Sequence, residues 1–187
     1  ADRLLNQSIR TSPQDRRLQS LAFRLYKATY RHSRALKVAK EMIDLHPDHW
    51  SGYAFAARIL DAQKSSSEAI RALKPGLKRL PKNRRLLTLA RRLYTKLEDQ
   101  RKTLKSSVKL AELCPKKIGL QVEVIHKLVC LGKTNKAGKL LAKALSLSPD
   151  DHRLAQLEGK LNHFISTDHK KYGHQQFPPS ICIAGNC

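Results

Sequence analysis

Apolar residues along most of the chain recur at spacings of three and four, the period of an amphipathic helix. In one such stretch the inward positions are Gln19, Ala22, Phe23 and Tyr26. Polar residues fill the positions between them, so each segment has one face to bury. The pattern predicts helices near residues 1–11, 15–30, 33–45, 49–63, 67–79, 83–97, 101–113, 117–131, 134–147 and 151–165.

Residues recur along these helices at a fixed interval of 34. An interval of this length is the signature of a helix-turn-helix unit stacked on its neighbours. Prolines end the units, small residues lie 12 positions earlier, and larger apolar residues form a third series. The three series are Pro13, Pro47, Pro81, Pro115 and Pro149; Ala1, Ala35, Ala69, Thr103 and Ala137; and Tyr26, Leu60, Tyr94 and Leu128.

On these series, residues 1 to about 165 resemble the tetratricopeptide repeat (TPR) family. The resemblance implies an all-α fold, a right-handed superhelical solenoid. Because Ala1 falls at the first small position of a second helix, we expect further repeats to precede it in a longer protein. The array comprises a half repeat 1–13, repeats near 14–47, 48–81, 82–115 and 116–149, and a closing helix 151–165.

Polar residues near the predicted helix starts are suited to capping. Asp48, Asn83 and Asp150 each follow a repeat proline, where a side-chain oxygen can accept from the free amides of the next helix. Ser65 with Glu68 three residues later has the spacing of a reciprocal capping box. We therefore expect these residues to fix where the helices begin.

After the closing helix the pattern changes. Residues 166–180 contain two adjacent prolines and many polar residues, which is typical of a linker. Residues 181–187 begin with a short apolar run that is typical of a buried strand and the start of an α/β domain. This run resembles the first strand and phosphate loop of sulfotransferases. The resemblance implies that Gly185 and Asn186 bind the donor PAPS, with the catalytic residues beyond residue 187. A docked tail with a chance apolar run is the alternative.

Charge is the strongest compositional feature. The chain has 37 Lys and Arg against 15 Asp and Glu, a net charge of +22. Such an excess suits either solvated outer helix faces or a polyanionic partner. Aromatic residues make up 5% of the chain, which leaves few stacking platforms for RNA bases. No apolar run approaches 18 residues, so no membrane span is predicted.

Cations also recur at one repeat position of the first helices. Arg24, Arg58, Arg92 and His126 follow one another at intervals of 34, and Arg17, Lys27 and Arg85 share their flank. In TPR proteins the first helices line a concave groove, so the resemblance implies a basic groove that binds an anionic ligand. Alternatively, these side chains keep the groove soluble or pair with local carboxylates. The family's Lys/Asn clamp for a C-terminal carboxylate is not matched.

Other candidate chemistry is sparse. Cys114 and Cys130 fall in the repeats as small hydrophobic residues, and nothing resembles a secreted disulfide framework, which favours a reducing, cytoplasmic location. No catalytic constellation is present in the repeats. A metal site would have to combine His169 and His174 with two cysteines whose spacing is wide for structural zinc, so no metal is predicted; these cysteines are Cys182 and Cys187.

The sequence thus predicts a non-catalytic protein–protein interaction module whose basic groove binds acidic peptide segments. One alternative is a recruiting arm of a TPR-sulfotransferase, which would make the parent chain an enzyme although this part is not. The other is general binding of polyanions, including RNA, through the diffuse charge.

Overall fold

The computed structural model describes residues 7–9 and 11–171. All regular secondary structure in this part is helical, and residues 7–9 and 11 are also helical. The helices are α1 (Arg16–Ala28), α2 (His32–Leu45), α3 (Trp50–Ala62), α4 (Ser66–Arg79), α5 (Arg84–Lys96), α6 (Gln100–Leu113), α7 (Ile118–Cys130), α8 (Thr134–Leu147) and α9 (His152–Lys171).

The helices predicted between residues 15 and 147 are confirmed to within two residues at each end. The closing helix differs, because α9 continues to Lys171 instead of ending at residue 165. No glycine or proline interrupts the sequence between residues 160 and 172, so nothing in it stops the helix there. The first six residues of the predicted linker are therefore helical, and the predicted strand at 181–187 lies outside the described residues.

The chain forms two compact units, Ala1–Ser106 and Ser107–Cys187. In the first unit, neighbouring helices from α1 to α5 pack in sequence order, and α1 and α3, like α3 and α5, also touch. In the second unit, α9 packs on both α7 and α8. Small residues at the predicted positions are fully buried, including Ala35, Ala69 and Ala137. They let paired helices approach closely, as the repeat pattern requires.

One turn geometry joins the first helix to the second helix in every repeat. The residue in this turn has a positive φ each time, at Tyr30, Lys64, Glu98 and Gly132. The next amide donates back across the turn, from Arg31 to the Tyr26 carbonyl at 2.8 Å and likewise in the other three repeats. This bond closes the helix C-terminus in the manner of a Schellman motif. The backbone around the turn is thus repeated along the chain at the 34-residue interval.

Tyr53 shows how tightly a first helix packs on its second helix. Its ring lies against Gly76 of α4, where an added Cβ would be 2.5 Å from the Tyr53 Cγ. The Tyr53 hydroxyl donates to the Pro47 carbonyl at 2.9 Å, which holds the ring in place. The glycine at position 76 is therefore required by the close approach of α3 and α4.

Gln19 and Gln121 take the equivalent positions in the first and fourth repeats. Each is buried and uses its amide nitrogen as Tyr53 uses its hydroxyl. Gln19 donates to the Pro13 carbonyl at 2.8 Å, and Gln121 donates to the Ala111 carbonyl at 2.7 Å. These bonds tie a first helix to the segment before it and satisfy carbonyls that the proline leaves without a helical partner.

The helix caps agree with prediction at one site and differ at three. Asn83 accepts from the amides of Arg85 and Leu86, both at 3.1 Å, as predicted. The capping box at Ser65 is wrong, because that side chain makes no capping hydrogen bond.

The other two predicted caps are wrong by one residue. His49, not Asp48, caps α3 by accepting from the Ser51 amide, and Asp48 instead pairs with Arg79 at 3.3 Å. Asp151, not Asp150, caps α9 by accepting from the amide of Arg153 at 3.0 Å. In both places two adjacent residues could act as the cap, and the backbone at the helix start selects the second.

Candidate functional site

The surface formed by α1, α3 and α5 in the first unit is strongly basic, and we call it the first-helix face. α1 and α5 contain no Asp or Glu at all. α3 contains one carboxylate, Asp61. All the predicted groove residues except His126 lie on these three helices. They are Arg17, Arg24, Lys27, Arg58, Arg85 and Arg92.

Three cations of this face are exposed and have no acidic partner. Arg24, Lys27 and Arg58 all lie on the exposed side of their helices. Arg24 bonds through Nε to the Ser20 carbonyl of its own helix at 3.4 Å. Among the described residues no carboxylate lies within ion-pair distance of these three side chains. Their charge is therefore available to a ligand.

Arg92 is different, because Asp61 binds it. The guanidinium Nη2 lies 2.9 Å from Asp61 Oδ2, and Lys96 Nζ lies 2.7 Å from the other oxygen. The Ser66 hydroxyl donates to Asp61 as well, at 3.1 Å. Burial alone would raise the pKa of this carboxyl, but the bonds from Lys96 and Ser66 and the charges of Lys96 and Arg92 hold it below its usual value. The local pairing that the sequence left open is thus realised at Arg92.

The sequence analysis missed Asp61, although the repeat contains the signal that finds it. Asp61 and Arg92 are 31 residues apart, which places them on consecutive first helices and almost one repeat apart. A search for opposite charges at that separation would have singled out this pair. It would also have shown that Arg24 and Arg58 have no such carboxylate.

Arg85 lies over the ring of Trp50, with its guanidinium carbon 4.3 Å from the ring centroid. This cation–π contact covers the half-buried indole. Beneath it, Phe23 and Phe55 stack with centroids 4.0 Å apart, and both are buried. Arg17 is exposed on α1. The predicted supporting cations therefore divide into one stacked on an aromatic ring and one facing solvent.

His49, beside Trp50, has a pKa below its usual value. Burial disfavours the charged imidazolium most, and the positive charges of Arg16, His46 and Arg85 add to the effect. Nδ1 of the neutral ring accepts from the Ser51 amide at 3.3 Å. The basic face thus keeps this histidine in the form that can cap α3.

His126 lies in the second unit. It lines a groove of about 360 Å³ between α7 and α9, together with Val122, Lys127, Arg153, Leu157 and Lys160. Its imidazole nitrogens lie 4.0 Å from Cys130 Sγ, and Cys114 is buried. His126 is therefore described here separately from the first-helix face.

Several predicted features concern residues that the structure does not describe. Gly185 and Asn186, the predicted phosphate-binding residues, lie outside the described residues, as do His174, Cys182 and Cys187. Among the described residues, no group of three or more His, Cys, Asp and Glu side chains could hold a metal ion. No helix in the same part combines the length and apolar character that a membrane crossing needs.

Solved structures with the same architecture are TPR proteins. YrrB, a TPR protein with an unusual peptide-binding site, superimposes with a TM-score of 0.56 at 16% identity, covering 89% of this chain and 84% of YrrB. MamA from Desulfovibrio magneticus gives 0.53 at 19% identity over 80% and 84% of the two chains. A thermophilic TPR protein of Thermus thermophilus gives 0.51 at 18% identity, over 87% and 88%.

No family model matches the sequence, and no curated protein matches it. The structural agreement nevertheless extends over most of the chain at low identity. The chain therefore has the TPR fold, as the 34-residue repeat predicted.

Proposed function

We propose that the chain is a protein–protein interaction module whose first-helix face binds an acidic polypeptide segment. The charge imbalance of that face carries the proposal. α1 and α5 contain no carboxylate, and the one carboxylate of α3 already binds Arg92 and Lys96. An acidic segment lying on Arg24 and Arg58 would reduce the repulsion between the guanidinium groups and accept paired hydrogen bonds from them.

A peptide is the ligand class that the fold favours. YrrB, which shares this architecture, is described as having a peptide-binding site. Consecutive first helices present side chains at regular intervals, and an extended peptide can contact several of them in turn. The exposed cations of α1 and α3 would bind the carboxylates of such a peptide.

RNA suits this face less well because its aromatic rings are covered. Single-stranded nucleic acids gain much of their affinity by stacking bases on exposed rings. Here Phe23 and Phe55 stack on each other in the interior, and Arg85 covers Trp50. The face therefore offers charge to a polyanion without the platforms that bases use.

The test is the affinity for a fluorescein-labelled Glu-rich peptide, measured by anisotropy. The double exchange Arg24→Gln and Arg58→Gln should weaken binding at least about tenfold, since each arginine donates charge-assisted bonds. The matched control is Lys37→Gln with Arg71→Gln, which are also exposed and 34 residues apart but lie on the second helices α2 and α4. The control should change the affinity less than about threefold.

Equal losses in the two double variants would contradict a groove and indicate diffuse charge. The RNA alternative is measured in parallel with a labelled single-stranded RNA. A steep fall of log K with log salt, together with no response to the Arg24 and Arg58 exchange, would favour general polyanion binding over the proposal.

A further inference from the structure

Asp61 shows where a carboxylate is bound on the first-helix face. It lies in the last turn of α3 and contacts Arg92 of the next first helix at 2.9 Å. Moved back by one repeat, the same two positions are held by Lys27 and Arg58. An ion pair in one repeat is therefore replaced by two like charges in the repeat before it.

The backbone justifies this transfer between repeats. The Asp61 carbonyl accepts from the Lys64 amide at 3.1 Å, and the Lys27 carbonyl accepts from the Tyr30 amide at 3.2 Å. Lys64 and Tyr30 have φ values of 63° and 55°, so the two turns have the same form. α1 also contacts α3, as α3 contacts α5. Lys27 thus occupies the same place relative to Arg58 as Asp61 does relative to Arg92.

On this basis, which rests on the proposed function, we infer that a Glu or Asp side chain of the bound peptide is held between Lys27 and Arg58. The ligand would supply the carboxylate that the chain itself supplies as Asp61 in the next repeat. Neither Lys27 nor Arg58 has an acidic partner among the described residues. Two exposed cations that repel each other gain most from a shared anion.

The position equivalent to Ser66 adds a third donor. Ser66 donates its hydroxyl to Asp61 at 3.1 Å, and 34 residues earlier the chain has His32, which is half-buried at the start of α2. A ring N–H at that place can donate to the same carboxylate. The position equivalent to Lys96 holds Ala62, which leaves space for the ligand side chain where the next repeat has a lysine.

The test introduces the missing carboxylate into the chain. Lys27→Asp should pair with Arg58 as Asp61 pairs with Arg92, and so occupy the site. Affinity for the labelled Glu-rich peptide should fall at least about tenfold relative to Lys37→Asp, an exposed exchange on α2 with the same change of charge. Adding Arg58→Gln to Lys27→Asp should then change the affinity less than about twofold, because the site is already lost.

An NMR titration gives a readout that needs no ligand. The introduced carboxyl at position 27 should titrate below the ordinary value of 3.8, as the Asp61 carboxyl does. An ordinary pKa there, or additive losses from Lys27→Asp and Arg58→Gln, would overturn this site. The groove itself would still stand if Arg24→Gln with Arg58→Gln weakens binding. A wild-type chain that does not bind the peptide would refute both.

Discussion

Replacing Gly76 by alanine tests the packing that sets the position of α3, and with it Arg58. An added methyl group would lie 2.5 Å from Tyr53 Cγ and 2.8 Å from its Cβ and Cδ2. Carbon atoms prefer separations of about 3.5–4.0 Å, so the two helices would have to move apart by about 1 Å. The Tyr53 ring cannot swing away easily, since it is buried and its hydroxyl is bonded to the Pro47 carbonyl.

Two opposing effects set the size of the change. Overpacking of this kind costs about 1–3 kcal/mol, whereas alanine in a helix is more stable than glycine by about 1 kcal/mol. Gly76→Ala should therefore lower the free energy of unfolding by about 1–2 kcal/mol. Trp50, the single tryptophan of the chain, lies in α3 and reports urea unfolding of the first unit by fluorescence.

The matched control is Gly159→Ala, in the middle of α9. An added Cβ there meets no atom within 4 Å, so the same exchange should stabilise the second unit by about 1 kcal/mol, followed by far-UV circular dichroism. The two exchanges should thus have opposite signs. A Gly76→Ala variant as stable as wild type would show that α3 and α4 are not as close as the structure places them.

Two further predictions concern side chains that hold α3. Tyr53→Phe should destabilise the first unit by about 1 kcal/mol through loss of the bond to the Pro47 carbonyl, whereas Tyr30→Phe, at an 83% exposed residue, should have no effect in the same urea assay. His49 has a pKa lowered below 6.5, so its contribution to stability is complete above that pH and is lost as the pH falls through the folded-state value. His49→Asn keeps a capping oxygen that does not titrate, and its stability should change less than that of wild type between about pH 7 and about pH 5; equal slopes would contradict the role of His49.

The helices could be predicted from the sequence because several independent signals agree at each boundary. Pro47 and Pro81 stop a helix, and the small residues Ala35 and Ala69 mark where helices cross at close range. A repeat supplies each signal several times, so an error in one repeat is corrected by the others. The end of α9 was missed because no neighbouring repeat follows it to define the register.

The state of the site could not be read from composition or from one repeat position. Arg24, Arg58 and Arg92 look the same in the sequence, but Asp61 binds Arg92 alone. Turn geometry was hidden for a similar reason. Tyr30, Lys64 and Glu98 are not residues that favour a positive φ, and they adopt it because the bonds that close the preceding helix require it.

The contrast between a repeated backbone and variable side chains explains how such an array acquires a ligand site. The last turn of successive first helices presents Lys27, Asp61, Thr95 and Val129 at one backbone position, and in each the carbonyl accepts from the amide of the turn. The first three differ in charge while the backbone stays the same, because none of them is buried in the core. Charge at this position can therefore change without loss of stability, and a ligand carboxylate is needed where the residue is a lysine and excluded where it is an aspartate. By this reasoning Asp61→Lys would extend the anion site along the face toward Arg92.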